Sequence, residues 1–417
     1  MKVAIAGYGK SGQTAEEILK NKGIMDIEIF DDNIAGKKKL SSMNGSFDAF
    51  VFSPGVDYRV YNISDEKIIS EIDLAYSILQ APEKIIVVTG TNGKSTTTYL
   101  ISQILNKVGL KAKACGNIGN TFGMAVLEGG YDFYILELSS FQIELLKCFK
   151  TKGLCVTNIT VDHLDRYKSF QEYVDAKFKI IEHLISGGFI ISTKINFIDN
   201  YLKNFKGDTI FLSTDLTEYP YLENNVMRFG DKFYCNLDCY GLYGRHNILN
   251  LALALIAVDK VIALSGDISA LVKDLKCLPH RCEVAGEKNG ILFIDDSKST
   301  TIDSTRVLLE GLSSREVLIL GGKYKGDNFV NLSDSINRYV DNLILYGQAA
   351  DIIESQLLGH INIPIYKVKT LSDATMTAFK VAKKGQKVLL SPACSSYDAF
   401  KNYEERGESF KKYVKQL

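Results

Sequence analysis

The sequence predicts an α/β protein built on mostly parallel sheets and divided into three units. Three observations predict it. Short runs rich in Val, Ile, Leu and Phe alternate with helical patterns along nearly the whole chain. A length of 417 residues exceeds one ordinary core. Two proline-marked segments, Gln80-Ala81-Pro82-Glu83 and Cys277-Leu278-Pro279-His280, each precede a fresh α/β run. The expected units are 1–82, 83–278 and 279–417.

In order, strands are expected at 2–6, 27–30 and 49–53 in the first unit, and at 85–89, 133–137, 154–157 and 189–191 in the second. The third carries 291–294, 317–320, 342–346 and 387–390. Residues 205–243 show aromatic and alternating patterns with little helical signal, so a small β subregion is expected there. The most apolar window, 247–264, is interrupted by Asn250, Asp259 and Lys260, which suits a buried helix better than a membrane span.

With 46% hydrophobic residues and 49 basic against 49 acidic side chains, the composition is that of a folded protein and gives no support to general nucleic-acid binding. The opening Met1-Lys2-Val3-Ala4-Ile5-Ala6-Gly7 has too short an apolar run for a signal peptide. A cytoplasmic monomer without membrane insertion is expected. The 8 cysteines then read as reduced thiols. Cys235/Cys239 and Cys277/Cys282, the latter pair flanking His280, lack the usual two-residue zinc spacing. Cys394 has no adjacent His and reads as inert.

Chemistry concentrates at strand ends. Val87-Val88-Thr89-Gly90-Thr91-Asn92-Gly93-Lys94-Ser95-Thr96 follows an apolar strand: two glycines let backbone N–H groups converge on phosphate, Lys94 reaches the β/γ-phosphates and Ser95 or Thr96 holds Mg²⁺. Taken alone, such a turn also serves as a plain connection. Gly7-Tyr8-Gly9-Lys10-Ser11-Gly12, with Asp31-Asp32 about 20 residues on, fits NAD(P), another nucleotide diphosphate or a structural turn. Ser53-Pro54-Gly55 is a second glycine turn. Glu137, at the end of an apolar strand, needs a partner, and a metal ion would supply one. Asp162-His163-Leu164-Asp165 brings an imidazole and further carboxylates to the same edge. Lys177, by itself, reads as a solvated helix lysine. In the third unit Arg281, Lys298 and Lys325 are the cations that a site for phosphates and carboxylates requires.

Together these segments resemble the Mur ligase family of peptidoglycan precursor synthesis, over the whole chain. The resemblance rests on Gly90 to Thr98, Gly116-Asn117-Ile118-Gly119, Glu137 to Gln142, Asp162 to Tyr167, Gly244 to Asn250, Leu278-Pro279-His280-Arg281, Asp296-Ser297-Lys298, and Ser391 to Cys394 with Phe400 to Gly407. The Asp-Ser-Lys and Ser-Pro-Ala-Cys segments are similar to the D-glutamate-adding branch, and the Asp-Asn-Pro-Arg of diaminopimelate-adding relatives is absent. The resemblance implies a Rossmann-like N-terminal domain for a UDP substrate, a central P-loop ATPase-type α/β domain with its β subregion, and a C-terminal Rossmann-like domain for the amino acid. It implies ATP, two Mg²⁺ ions, UDP-N-acetylmuramoyl-L-alanine and D-glutamate as partners.

By the same resemblance, Gly90, Asn92, Gly93, Lys94, Ser95, Thr96, Asn247, Asn250, Arg281 and Asp296 hold ATP, and Ser95, Glu137, His163 and a carbamylated Lys177 hold metal. Lys94, His163, Lys177 and Lys298 carry catalysis. Lys10, Ser11, Asp31, Ser53, Gly55 and Asn117 contact the UDP end; Thr300, Lys325, Ser396, Tyr397 and Tyr403 frame the acceptor. Asp295 stands where the family commonly has Asn, Thr301 replaces another Asn and Tyr403 a Phe. A Mur-type or folate polyglutamate ligase with another acceptor is the alternative within the family; outside it, an NAD(P)-dependent oxidoreductase rests on the first glycine motif alone.

Overall fold

The computed structural model describes all residues except 164, 165, 196, 214–219, 224, 238–244 and the side chain of Arg245. The chain divides into two compact units, Met1–Cys239 with Asn250–Leu275, and Tyr240–Leu249 with Lys276–Leu417.

The first unit holds two parallel sheets. The N-terminal one has the order Ile27–Phe30, Val3–Ala6, Ala49–Phe52, Ile68–Ile69. The central one runs Asp208–Leu212, Leu184–Thr193, Thr151–Val156, Ile85–Thr89, Phe133–Glu137, Ala112–Gly116. Its middle strand Ile85–Thr89 is buried at every position, which is why it reads as a continuous apolar run rather than an alternating one. Chain order reverses about Ile85–Thr89, so the loops after it and after Thr151–Val156 flank a switch-point crevice. Helices Lys10–Asn21, Glu71–Leu79 and Phe122–Glu128 pack on one another and join the two sheets in one unit, although a boundary at 82/83 was expected from sequence.

The 205–243 expectation is met in part. Asp208–Leu212 extends the central sheet, while Tyr221–Glu223, Val226–Phe229 and Phe233–Asn236 form a separate meander. Its last strand, Gly266–Asp267, comes from beyond that window. The apolar window is helix Arg245–Ile262, buried continuously from Leu251 to Val258.

The second unit is one sheet: Glu283–Lys288, Ile291–Asp295, Lys387–Leu390, Glu316–Gly321, Val340–Tyr346, Ile365–Lys367. Only the Glu283–Lys288 edge is antiparallel. Apolar clusters cover both faces, one around Leu318, Phe329 and Ile353, the other around Phe293, Ile319 and Phe410. Among the described residues, no helix is long and apolar enough to cross a membrane.

Candidate active site

Gly90 and Gly93 shape the loop after Ile85–Thr89. Both take positive φ, 142° and 83°, and neither has room for a side chain: a Cβ at Gly90 would lie 2.0 Å from Thr157 Oγ1, and one at Gly93 would lie 2.3 Å from Asn250 Oδ1. The neighbouring loop holds the turn in place. Asn158 accepts the Thr91 N–H on its carbonyl and the Asn92 N–H on its side-chain oxygen, both at 2.9 Å. Thr157 Oγ1 donates to the Asn92 carbonyl at 2.6 Å. Helix Lys94–Lys107 then begins with no side-chain cap at Gly93, so the loop sits at the positive end of the helix. The Lys94 ammonium folds back on the Gly90 and Thr91 carbonyls at 3.0 and 2.8 Å. Ser95 and Thr96 are buried in the first turn.

Glu137 ends the adjacent strand, opposite Val88. It is only 2% exposed; Oε1 accepts from Asn117 Nδ2 at 3.1 Å, and Oε2 is buried without a hydrogen-bond partner among the described residues. An orphaned buried carboxylate oxygen at a phosphate-loop edge is a donor that suits a hard cation such as Mg²⁺. Asn117, which is also among the residues expected at the UDP end, thereby orients Glu137.

Lys177 lies in helix Phe170–Phe178, whose cap is Ser169. Read alone it suits solvent, yet the structure buries it to 2% exposure, with Nζ donating to the Gly90 carbonyl at 2.8 Å and lying 4.8 Å from the Tyr173 ring centre. Burial, then the Lys94 charge, hold its amine well below the usual lysine range, against the pull of Asp162 and Glu137. Tyr173 shares a hydrogen bond with Thr91 Oγ1 at 3.0 Å. His163, at φ 54°, packs 4.9 Å from Phe141 and 5.9 Å from Tyr173. Asp165 lies outside the described residues, as do Gly244 and Cys239. Thus the structure brings Gly90, Asn92, Gly93, Lys94, Glu137 and Lys177 to one edge, with Asn250 against Gly93 and His163 beside Tyr173.

The first glycine motif is also packed for close approach. A Cβ at Gly12 would lie 2.1 Å from the Gly7 carbonyl, and Ser53 Oγ donates to that carbonyl at 2.7 Å. Asp31 accepts the N–H groups of Tyr8 and Asn33 at 2.7 and 2.8 Å, bonds that hold its carboxyl below the usual range. Lys10 and Gly55 are exposed and Ser11 half-buried, with Lys10 Nζ 3.4 Å from the Gly119 carbonyl. A cleft of 830 Å³ elsewhere in this unit is lined by Tyr58, Glu144, Asp175, Phe178 and Tyr201, and by none of the site residues named above.

In the second unit, Asp296 is buried and accepts from Ser391 Oγ at 2.9 Å; burial pushes its carboxyl up to about 6. Lys298 Nζ sits 3.9 Å from the centre of the Tyr403 ring. Arg406 is fully buried and was not singled out as a site residue from sequence. Its Nε and Nη2 donate to Ser297 Oγ and O at 2.9 and 2.8 Å, and Nη1 to the Cys394 carbonyl at 3.0 Å. It thereby ties the Asp-Ser-Lys and Ser-Pro-Ala-Cys segments to helix Tyr403–Gln416. With Glu404, Glu405 and Glu408 beside it in sequence, Arg406 reads as an ordinary paired helix arginine, so no local signal marks its burial. Thr300 is half-buried and Ser396 buried; Lys325 and Tyr397 are exposed. Asn247 is buried. Burial pushes the Cys277 and Cys394 thiols up to about 12, which leaves them protonated near neutrality.

Residues 88–258 match the Mur ligase middle domain, and residues 280–394 the Mur ligase glutamate ligase domain. The chain is 33% identical over 454 aligned positions to the UDP-N-acetylmuramoylalanine--D-glutamate ligase of Caldicellulosiruptor saccharolyticus, covering 100% of this chain and 99% of that one. The chain belongs to the Mur ligase family. It is accordingly an ATP-dependent ligase. A protein of the same description from Thermoanaerobacter sp. (strain X514) is 35% identical, with 100% and 98% of the two chains covered. The fold is similar to that of the MurF ligase from Thermotoga maritima in complex with ADP, at TM-score 0.61, 18% identity, and coverage of 99% and 95%.

Proposed function

We propose that this Mur ligase joins D-glutamate to UDP-N-acetylmuramoyl-L-alanine, with ATP cleaved to ADP and phosphate. Supporting it is the likeness over the whole chain to relatives that bear that description, with the Asp-Ser-Lys and Ser-Pro-Ala-Cys segments of the second unit. In this reading the alanyl carboxylate oxygen attacks the γ-phosphorus, the bond to the β–γ bridging oxygen breaks and ADP leaves. The acyl phosphate is then attacked by the amine of D-glutamate. The tetrahedral intermediate loses a proton from nitrogen and expels phosphate, leaving an amide.

Lys94 and the positive end of the helix it opens neutralise charge on the transferred phosphoryl. Ser95, Glu137 and His163, with a carbamylated Lys177, would hold Mg²⁺, and its chemistry there is to offset phosphate charge. Lys177 is suited to carbamylation because the neutral amine is the form that adds to CO₂, releasing one proton and replacing a buried cation with a carboxylate-like donor. Asn247, Asn250, Arg281 and Asp296 bind the rest of ATP. Lys10, Ser11, Asp31, Ser53, Gly55 and Asn117 take the UDP end; Lys298 steadies the acyl phosphate, and Thr300, Lys325, Ser396, Tyr397 and Tyr403 receive D-glutamate. Phosphate release should require ATP, Mg²⁺, UDP-N-acetylmuramoyl-L-alanine and D-glutamate together. Equal turnover with L-lysine or diaminopimelate in place of D-glutamate contradicts the acceptor assignment.

A further inference from the structure

His280, Glu283 and Asp295 bring ligand-type atoms within 4.8 Å of one another, but those atoms are engaged with protein. Asp295 Oδ2 lies 2.7 Å from His280 Nδ1, and Asp295 Oδ1 accepts the Ser297 N–H at 3.0 Å. Glu283 Oε2 accepts the His280 N–H at 2.8 Å and pairs with Lys411 at 2.7 Å. The His280 carbonyl accepts the Lys298 N–H at 3.1 Å, and Arg281 follows directly in sequence. His280 is 4% exposed with φ 63°, and Asp295 is fully buried. The C-terminal helix closes over the pair at Gly407, where a Cβ would lie 2.1 Å from His280 Nδ1 and 2.6 Å from Asp295 Oδ2. Glu408 Oε1 stands 3.7 Å from Nε2 on the far side of the ring.

We infer that Asp295 is a positioning residue: its carboxylate fixes the proton of His280 on Nδ1 and so locks the left-handed turn that places Arg281 and Lys298. A carboxylate only accepts; with Oδ1 taking the Ser297 N–H, Oδ2 lies 2.7 Å from Nδ1, and that approach is a hydrogen bond only when Nδ1 carries the proton. An amide in the same pose behaves differently. To keep an oxygen for the Ser297 N–H, it must turn its NH₂ toward Nδ1, which then has to accept, and the imidazole proton moves to Nε2.

This rests on the proposed roles of Arg281 and Lys298, and the test separates the two layers. Long-range ¹⁵N–¹H spectra of the full chain, with the His280 signal assigned by its loss in His280→Gln, should show Nδ1 protonated in the parent and Nε2 as the sole protonated nitrogen in Asp295→Asn. An unchanged tautomer overturns the inference. In steady-state kinetics, Asp295→Asn should lower kcat/KM for ATP and for the acceptor at least tenfold, while kcat/KM for the UDP substrate changes less than threefold; a uniform loss overturns positioning. Should Asp295→Asn fail to fold, His280→Asn and His280→Gln decide. Asn places an N–H where Nδ1 lies and tolerates positive φ, so it should retain at least five times the kcat/KM of the Gln variant; equal values overturn the inference. If parent enzyme shows the tautomer but no ligase activity, the functional reading fails and the hydrogen-bond assignment stands.

Discussion

The edge formed by Gly90, Glu137 and Lys177 and the cluster around Arg406 are both buried and polar, but they differ in how completely they are satisfied. At the first, Glu137 Oε2 has no partner among the described residues and the Lys177 amine is held far from its ordinary range by burial. At the second, Nε, Nη1 and Nη2 of Arg406 each donate at 2.8 to 3.0 Å. A buried group left unpaired costs about 1–3 kcal/mol, so an edge that keeps such groups is matched to something it binds. A closed network matches only itself and acts as scaffold. Substitutions at the first should therefore remove chemistry and spare the fold, and at the second remove the fold first.

The largest effect is expected at Lys94→Ala, with kcat down about 10³-fold, as for the loss of a charge-stabilising donor, and a melting temperature within about 3 °C of the parent by calorimetry. A large drop in melting temperature would erase the contrast between the two regions. Lys177→Ala should lose about 10²-fold, the range for groups that complete a metal site, and recover part of it with added short-chain carboxylates; a full-rate mutant would dismiss the carbamate. Arg406→Leu should cost about 2–4 kcal/mol of stability, since it strands three acceptors, read as a lower urea midpoint; an unshifted midpoint would show that the network is not scaffold.

The smallest effect tests a buried acid outside both regions. Glu71 sits among helices, accepts the Gly123 N–H at 2.6 Å, and burial pushes its carboxyl up to about 7 from an ordinary 4.5. The folded state binds this proton more tightly than the unfolded state. The site's contribution to stability is therefore full below pH 4.5, falls as pH rises toward about 7 and is flat above. Glu71→Gln, a mimic of the protonated form, should raise the melting temperature at pH 8 by a few degrees and by less at pH 5. Equal shifts at both pH values would place the effect in packing instead.

Much of this was readable in the sequence because it is local. Strands Ile85–Thr89, Phe133–Glu137 and Lys387–Leu390 match the expected runs residue for residue, since the interior of a parallel strand buried on both faces is apolar and only its ends carry polar residues. The loop from Gly90 to Ser95 is legible for the same reason. Lys177 is not, because its burial is imposed by Tyr173 on its own helix and by a carbonyl 87 residues away. Short edge strands such as Ala112–Gly116 and Ile365–Lys367 carry too few apolar residues to stand out. The pairing of His280 with Asp295 spans a turn at positive φ that no periodicity marks.

The most direct measurement follows oxygen. With both carboxylate oxygens of the UDP-N-acetylmuramoyl-L-alanine substrate labelled with ¹⁸O, attack on the γ-phosphorus carries one label into the phosphate released in the presence of D-glutamate. Mass spectrometry of that phosphate should find one ¹⁸O per molecule, and unlabelled phosphate formed alongside amide product would contradict activation through an acyl phosphate.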